Sequence, residues 1–327
     1  MTLRVHFSAE DLARTTIAAE PDPLWELVLS LHKLQQPRSP DRLAGWREHA
    51  RAGLDETLRR QLGQLTLLVP PKGNFADFLT PNAGAGDLPT ALEVVSTTSA
   101  ARLRTDLAEL DVSARPPAWV RALADGDAPA MRELLAALSG YFEAAIAPYW
   151  TRIQSTVDSD RALRAQDWSV GGVEGLLAGL PGPMWWEAPI LHTEYPKDRD
   201  LHLDGRGITL IPSYFCQRTP VTFIDERLPP VLVYPLEYTR RAADDEAALA
   251  RLIALLGDTR ARVLRGLRMP RSTSELARWA ATSAASASKH ATVLREAGLV
   301  SSVRRGNTMR HTLTPLGQAL LDGDIPG

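Results

Sequence analysis

The tightest constraint on this chain lies in its last quarter, where start, stop and turn signals follow one another without slack. Ser272 and Glu275 stand at capping-box spacing, S-x-x-E, so that hydroxyl and carboxylate can satisfy free N–H groups at a helix start reciprocally. The helix they open is followed by a turn at Ala281-Thr282-Ser283. Ser283 is placed to cap a second helix over 284–297, and Gly298 ends it, because a residue without Cβ takes positive φ cheaply. Residues 299–303 and 308–313 then read as the arms of a β-hairpin, with Arg304-Arg305-Gly306-Asn307 at its tip.

The second of these helices has two unlike faces. Ala287, Ala291, Leu294 and Ala297 recur every three or four residues and form a thin apolar stripe, while Ser286, Ser288, Lys289, His290 and Thr292 carry hydrogen-bonding groups. Small polar residues near the helix start let its backbone approach base edges in a DNA major groove, which long side chains would prevent. Arg304, Arg305 and Arg310 are placed to meet phosphates or the minor groove, and Asn307 to set the hairpin turn. Charge points the same way. Residues 252–327 hold 11 Lys/Arg against 5 Asp/Glu, whereas residues 1–251 hold 26 against 34. A basic module joined to an acidic body is the electrostatic footprint of nucleic-acid binding.

Taken in order, Leu256-Gly257-Asp258-Thr259-Arg260, Ser274-Glu275-Leu276-Ala277, Ser288-Lys289-His290, Leu294-Arg295-Glu296-Ala297-Gly298-Leu299-Val300 and Arg304-Arg305-Gly306-Asn307 resemble the winged helix-turn-helix domain of ArsR-family transcriptional regulators. The resemblance implies a sequence-specific regulator, a repressor, that reads double-stranded promoter DNA as a homodimer. It implies DNA contacts from Ser283, Ser286, Ser288, Lys289, His290, Arg304, Arg305, Asn307 and Arg310. There are departures. Thr282, Ala287 and Ala291 stand where larger apolar residues are usual, which bears on how the second helix packs. The thiolate motif of the family's metal sensors is absent, and the only cysteine, Cys216, is far away in sequence, so metal sensing is not carried over. The long region ahead of the domain resembles the uncharacterised extensions that precede such domains in actinobacterial regulators; that likeness carries no site residues.

At 327 residues the chain has room for two or three domains, and 44% hydrophobic with 23% charged residues is ordinary for globular protein. A single cysteine excludes an internal disulfide framework and fits a reducing cytoplasm. No apolar run approaches the ~20 residues needed to span a bilayer, and the N-terminus lacks a signal-peptide apolar stretch. A cytoplasmic location with no membrane partner is expected.

The expected fold class is α+β, in three parts. Residues 1–183 read as a mainly helical effector and dimerisation region, opened by a strand at 3–7 and a firm helix over 24–35 with Pro23 at its start. Gly171-Gly172 interrupts the helical pattern and Pro181-Gly182-Pro183 ends it. Residues 184–240 alternate in short runs and read as a small, mainly antiparallel sheet. Residues 241–327 comprise a linker helix, with Asp244, Asp245 and Glu246 in its early turns, and the winged helix.

An apolar cavity for a small organic effector is expected in the N-terminal region, with Trp25, Phe75, Phe78, Trp185 and Trp186 as its candidate lining. Core filling accounts for the same aromatics, and Phe75 and Phe78 could equally anchor their Pro-bounded loop. Adjacent strand residues face opposite ways, so at most one of Trp185 and Trp186 packs inward. His32 reads as structural. His192, Glu194, His202 and Asp204 have metal-ligand chemistry, but their spacing matches no metal motif and they flank turns, which favours a solvated surface. Glu187 and Glu194 could act as paired carboxylates. No nucleophile elbow, P-loop or dinucleotide fingerprint is present, so neither catalysis nor a cofactor is expected. Two alternatives stay open: an enzyme domain fused to a DNA-binding module, and a metal-responsive regulator using His192, Glu194 and His202.

Overall fold

A computed structural model describes residues 1–36, 43–71, 73–81, 86–110, 116–236, 252–267, 271–305 and 308–322. The expected linker helix up to residue 251, together with Lys72, Gly306 and Asn307, lies outside the described residues; residues 252–256 are helical. The chain divides into two compact units, Met1–Thr239 and Arg240–Gly327. The architecture is α+β. Among the described residues no helix is long and apolar enough to cross a membrane.

The first unit begins with strand β1 (Thr2–His6), whose alternation puts Leu3 and Val5 inside and Arg4 and His6 outside. Helix α1 (Ala9–Ala13) starts at a Ser8/Asp11 capping box, and strand β2 (Thr16–Ile17) follows. Helix α2 (Pro23–Gln35) is capped by Asp22 with Pro23 at its first position, and it is buried almost all round. Helices α3 (Ala44–Gly53), α4 (Glu56–Leu68), α5 (Leu88–Ser96), α6 (Ala100–Ala108), α7 (Ala118–Ala124) and α8 (Ala128–Ala145) surround it. A 3-10 turn, Asp77–Leu79, lies between α4 and α5. Helix α9 (Trp150–Ala178) is broken at Gly172, whose φ of 61° with ψ of −152° no side-chain-bearing residue adopts readily. The break falls where the Gly171-Gly172 pair leads one to expect it.

Residues 184–235 do not form a sheet of their own. They are shared between two sheets, each of which takes a strand from the N-terminus. Strands β3 (Met184–Glu187), β4 (Ile190–Glu194) and β5 (Arg199–His202) join β1 in the order β3-β4-β1-β5. There β1 is antiparallel to β4 and parallel to β5. Strands β6 (Thr209–Ser213) and β7 (Val231–Pro235) join β2 in a sheet that is parallel throughout, correcting the expectation of mainly antiparallel pairing. The reason is that the partners of β5, β6 and β7 are not the adjacent hairpin arms. Two cores result. The larger packs α2 to α8 against β6, β7 and the loop after β6. The smaller lies under the four-stranded sheet, with Leu3, Val5, Leu191 and Leu201 meeting Leu176 and Leu177 from the end of α9.

The second unit contains helices α10 (Asp258–Gly266), α11 (Thr273–Trp279), α12 (Ala284–Glu296) and α13 (Pro315–Asp322). Strands β8 (Arg271–Ser272), β9 (Val300–Arg305) and β10 (Thr308–Leu313) form an antiparallel sheet in the order β8-β10-β9. Both arms of the Ser272/Glu275 capping box are made, and Ser283 accepts from the Ser286 N–H. Gly298 takes a φ of 74°.

Candidate functional site

In the C-terminal unit Ala287, Ala291 and Leu294 of the apolar stripe of α12 are buried, Ala287 and Leu294 in a core that includes Leu264 and Leu276, whereas Ala297, expected to complete the stripe, is the C-cap and is exposed. Small residues there bring α12 close to α10 and α11. The opposite face is open: Ser288 and Lys289 are exposed, and Ser286 and His290 are half-buried. Ser283 is exposed at the helix start, its hydroxyl oxygen engaged in the cap. The hairpin is tied to α11 by His311, which is buried and bonded to the Thr273 hydroxyl at 3.0 Å and the Ser302 hydroxyl at 2.8 Å. Burial, and then the charge of Arg295, pull the His311 pKa down, so the ring is held neutral between two hydroxyls. Arg304 and Arg310 are exposed on the hairpin. The register pairs Met309 with Arg304 and Arg310 with Val303, so the two arginines stand on opposite faces of the ribbon. Arg305 closes the pairing opposite Thr308.

The aromatics expected to line one pocket are dispersed. Trp25 is fully buried in the larger core, in edge contact with Phe75 and tilted against Phe223. Trp186 turns toward the smaller core and meets Phe7 edge-on, while its indole N–H donates to Glu174 at 3.3 Å. Trp185, on the other face of β3, is exposed and stacks on His192 with the ring planes 6° apart. Phe78 lines a cleft.

That cleft, of about 290 Å³, is walled by Phe78, Val94, Phe223 and Leu228, with Asp77 and Arg102 at its polar end. Asp77 also bounds a second, acidic recess of about 230 Å³ that includes Asp106, Glu109 and Asp225. Arg102 holds the seam together. Its Nε lies 2.8 Å from Asp106, its Nη1 2.7 Å from Asp225 and its Nη2 3.8 Å from Asp77. Asp77 accepts the backbone N–H groups of Ile224 and Asp225, and Asp106 accepts that of Phe78. Burial pushes the carboxyl groups of Asp77 and Asp106 up; the neighbouring acid adds to each shift while Arg102 and the N–H donors oppose it. Asp225 is instead held down to about 2, chiefly by Arg227 and further by Arg102. Asp77 and Arg102 were not among the expected site residues. Their signal was available in part: Asp77 sits between the two aromatics of the Pro-bounded loop, and Arg102 and Asp106 are one helical turn apart.

The metal-ligand candidates are not brought together. His192 is on β4 and His202 on β5, with β1 between them, opposite Arg4 and His6 respectively. Two strand spacings alone separate their backbones by roughly 10 Å. Each ring is otherwise occupied, His192 against Trp185 and His202 against His6 at 4.4 Å. Glu194 lies further along, opposite Thr2, and Asp204 is in the turn beyond β5. Among the described residues no group of three or more His, Cys, Asp or Glu could hold a metal ion. Glu187 lies 3.9 Å from His192 and pairs with Ile190, four positions along β4 from Glu194. On the same open face Arg4 grips Asp200 with two bonds of 2.7 Å, and His6 reaches it at 2.7 Å.

A family of unknown function, DUF5937, matches residues 1–124. No curated protein and no solved structure matches the chain.

Proposed function

We infer that this chain is a sequence-specific DNA-binding transcriptional regulator, a dimeric repressor whose N-terminal unit binds a small organic effector. The observation that carries the reading is the character of α12. It is capped by Ser283, buried on the Ala287/Ala291/Leu294 side and exposed at Ser288 and Lys289, within a segment of net charge +6. A helix presented in this way can enter a major groove as the ArsR-like winged helix does, with Arg304, Arg305 and Arg310 on the flanking backbone. Two copies are proposed because one short recognition helix reads few base pairs, and a twofold pair doubles the contact. The N-terminal unit is far larger than a dimer brace requires, which supports a sensing role.

The test is fluorescence anisotropy with duplexes from upstream of the chain's own reading frame, titrated at several salt concentrations. Lys289→Ala and Arg305→Ala should each weaken binding to every sequence and reduce the salt slope by about 1. Slopes unchanged in both variants would remove the assignment, and failure to bind any such duplex at low salt would remove the function.

A further inference from the structure

We propose that the cleft between α5, α6 and the 223–229 loop is the effector site, and that it takes a small organic amine: an apolar body between Phe78, Val94, Phe223 and Leu228, with its ammonium group at Asp77. The assignment rests on the reading that the N-terminal unit senses a small molecule, and it names which one by chemistry.

The shape argues for an organic ligand. At about 290 Å³ the cleft is at the lower end of the roughly 300–1,000 Å³ typical of small-molecule sites. Its walls come from three separate stretches, residues 77–81, 94–102 and 223–229, and they are apolar except for the hydroxyls of Thr98 and Ser99 and the charged Asp77 and Arg102. A largely apolar body with a single charged group fits that distribution.

The sign of the polar group follows from the charges at that end. Arg102 is bonded to Asp106 and Asp225, with its Nη2 3.8 Å from Asp77 and making no hydrogen bond, and Arg227 is bound by two bonds to Asp225. Arg199 takes Glu226 at 3.3 Å. Asp77, Asp106, Glu109 and Asp225 therefore stand against two guanidinium groups, Arg102 and Arg227. A carboxylate or phosphate ligand would meet a surplus of its own sign, whereas a cation would be drawn to it. Burial disfavours the ionised forms of Asp77 and Asp106, as their raised pKa values record, and an ammonium group placed beside them would offset that cost. Asp77 is the residue common to the apolar cleft and the acidic recess, which places the charged end of the ligand.

The experiment is isothermal titration of the full chain with three probes of one size: 2-phenylethylamine, 2-phenylethanol and 3-phenylpropionate. The amine should bind saturably at millimolar concentration or better, at least tenfold tighter than the alcohol or the acid. Val94→Trp, which fills the cleft from an exposed-side wall, should abolish amine binding, and Asp77→Asn should weaken it at least tenfold. Thermal melting identifies any variant that fails to fold, and Val94→Trp decides if Asp77→Asn does. No saturable heat from the amine, equal binding of the acid, or undiminished binding to folded Val94→Trp would each overturn the proposal. DNA affinity measured with and without the amine separates the two inferences. Amine binding by a chain that ignores DNA would leave the site standing and remove the regulator. DNA binding by a chain that ignores the amine would do the reverse.

Discussion

Glu26 offers the sharpest test of how the first unit is held together. It lies in the first turn of α2 and is completely buried. Its carboxylate accepts from the Tyr214 N–H at 2.7 Å, the Phe215 N–H at 3.1 Å and the Ser213 hydroxyl at 3.1 Å. These donors are at the end of β6, where the ladder has no further strand residue to offer. The side chain thus caps a strand end from a helix 187 positions away in sequence. Glu26→Leu would keep the volume and remove every acceptor. The hydroxyl can rotate, but the two backbone N–H groups cannot. Each buried donor left without a partner costs about 1–3 kcal/mol, so the loss should be about 2–6 kcal/mol. Relief of the buried charge works the other way, and it is the smaller effect here because three donors already compensate that charge. Glu26→Gln keeps one carbonyl oxygen and should fall between Leu and the parent. Urea unfolding followed by tryptophan fluorescence reports this unit, since seven of the eight tryptophans precede residue 240. A midpoint for Glu26→Leu within about 1 kcal/mol of the parent at unchanged slope would refute the reasoning.

Two further outcomes are expected. Burial pushes the Asp22 carboxyl up to about 6, against the opposing bonds from the Trp25 and Leu24 N–H groups. Burial, with the charge of Lys33, pushes His32 down to about 4. The Asp22 contribution to stability is full below the unfolded value of 3.8 and is lost as pH rises to about 6. The His32 contribution is full above 6.5 and is lost as pH falls to about 4. The two slopes oppose each other, so Asp22→Asn should make the protein more acid-sensitive and His32→Gln less. Each change should be at most about 3 kcal/mol between pH 6.5 and 4. Urea midpoints across that range check it, and profiles parallel to the parent's would count against both shifts. A fragment of residues 1–124 should lack a cooperative melt by circular dichroism while residues 1–239 retain one, because β1 would lose both β4 and β5.

What could be read from the sequence was local. The Ser272/Glu275 capping box, the Ser283 cap, Pro23 at the start of α2 and Gly298 after α12 each act within a few residues, and each is found in place. The Gly172 break was equally plain. Pairing was not. Nothing in Leu3 or Val5 reveals that Thr193 and Leu191 will lie opposite, and the parallel partners of β6 lie on either side of long excursions. The aromatics were misleading for a related reason. Trp25 and Phe75 carry the same apolar mass whether they line a cavity or fill a core, and only the packing separates them. The carboxylates around Arg102 were the least visible, because Asp77, Asp106 and Asp225 gain meaning only when one guanidinium is placed among them.

The extent of the family match and the extent of the site do not coincide, and the difference has a physical consequence. Asp77, Phe78, Val94 and Arg102 lie inside residues 1–124, whereas Phe223, Asp225 and Leu228 lie about a hundred positions beyond. The first group supplies a helix pair and an aromatic turn. The second supplies one wall and the N–H groups of Ile224 and Asp225 that hold Asp77 in place. A protein sharing only the first stretch would have an open groove with Asp77 unanchored, and Arg102 would have lost one of its three carboxylates. Chains in which the cleft is complete should therefore be recognised by an aromatic residue and an aspartate spaced as Phe223 and Asp225 after the long α9, and not by the stretch that the family match covers.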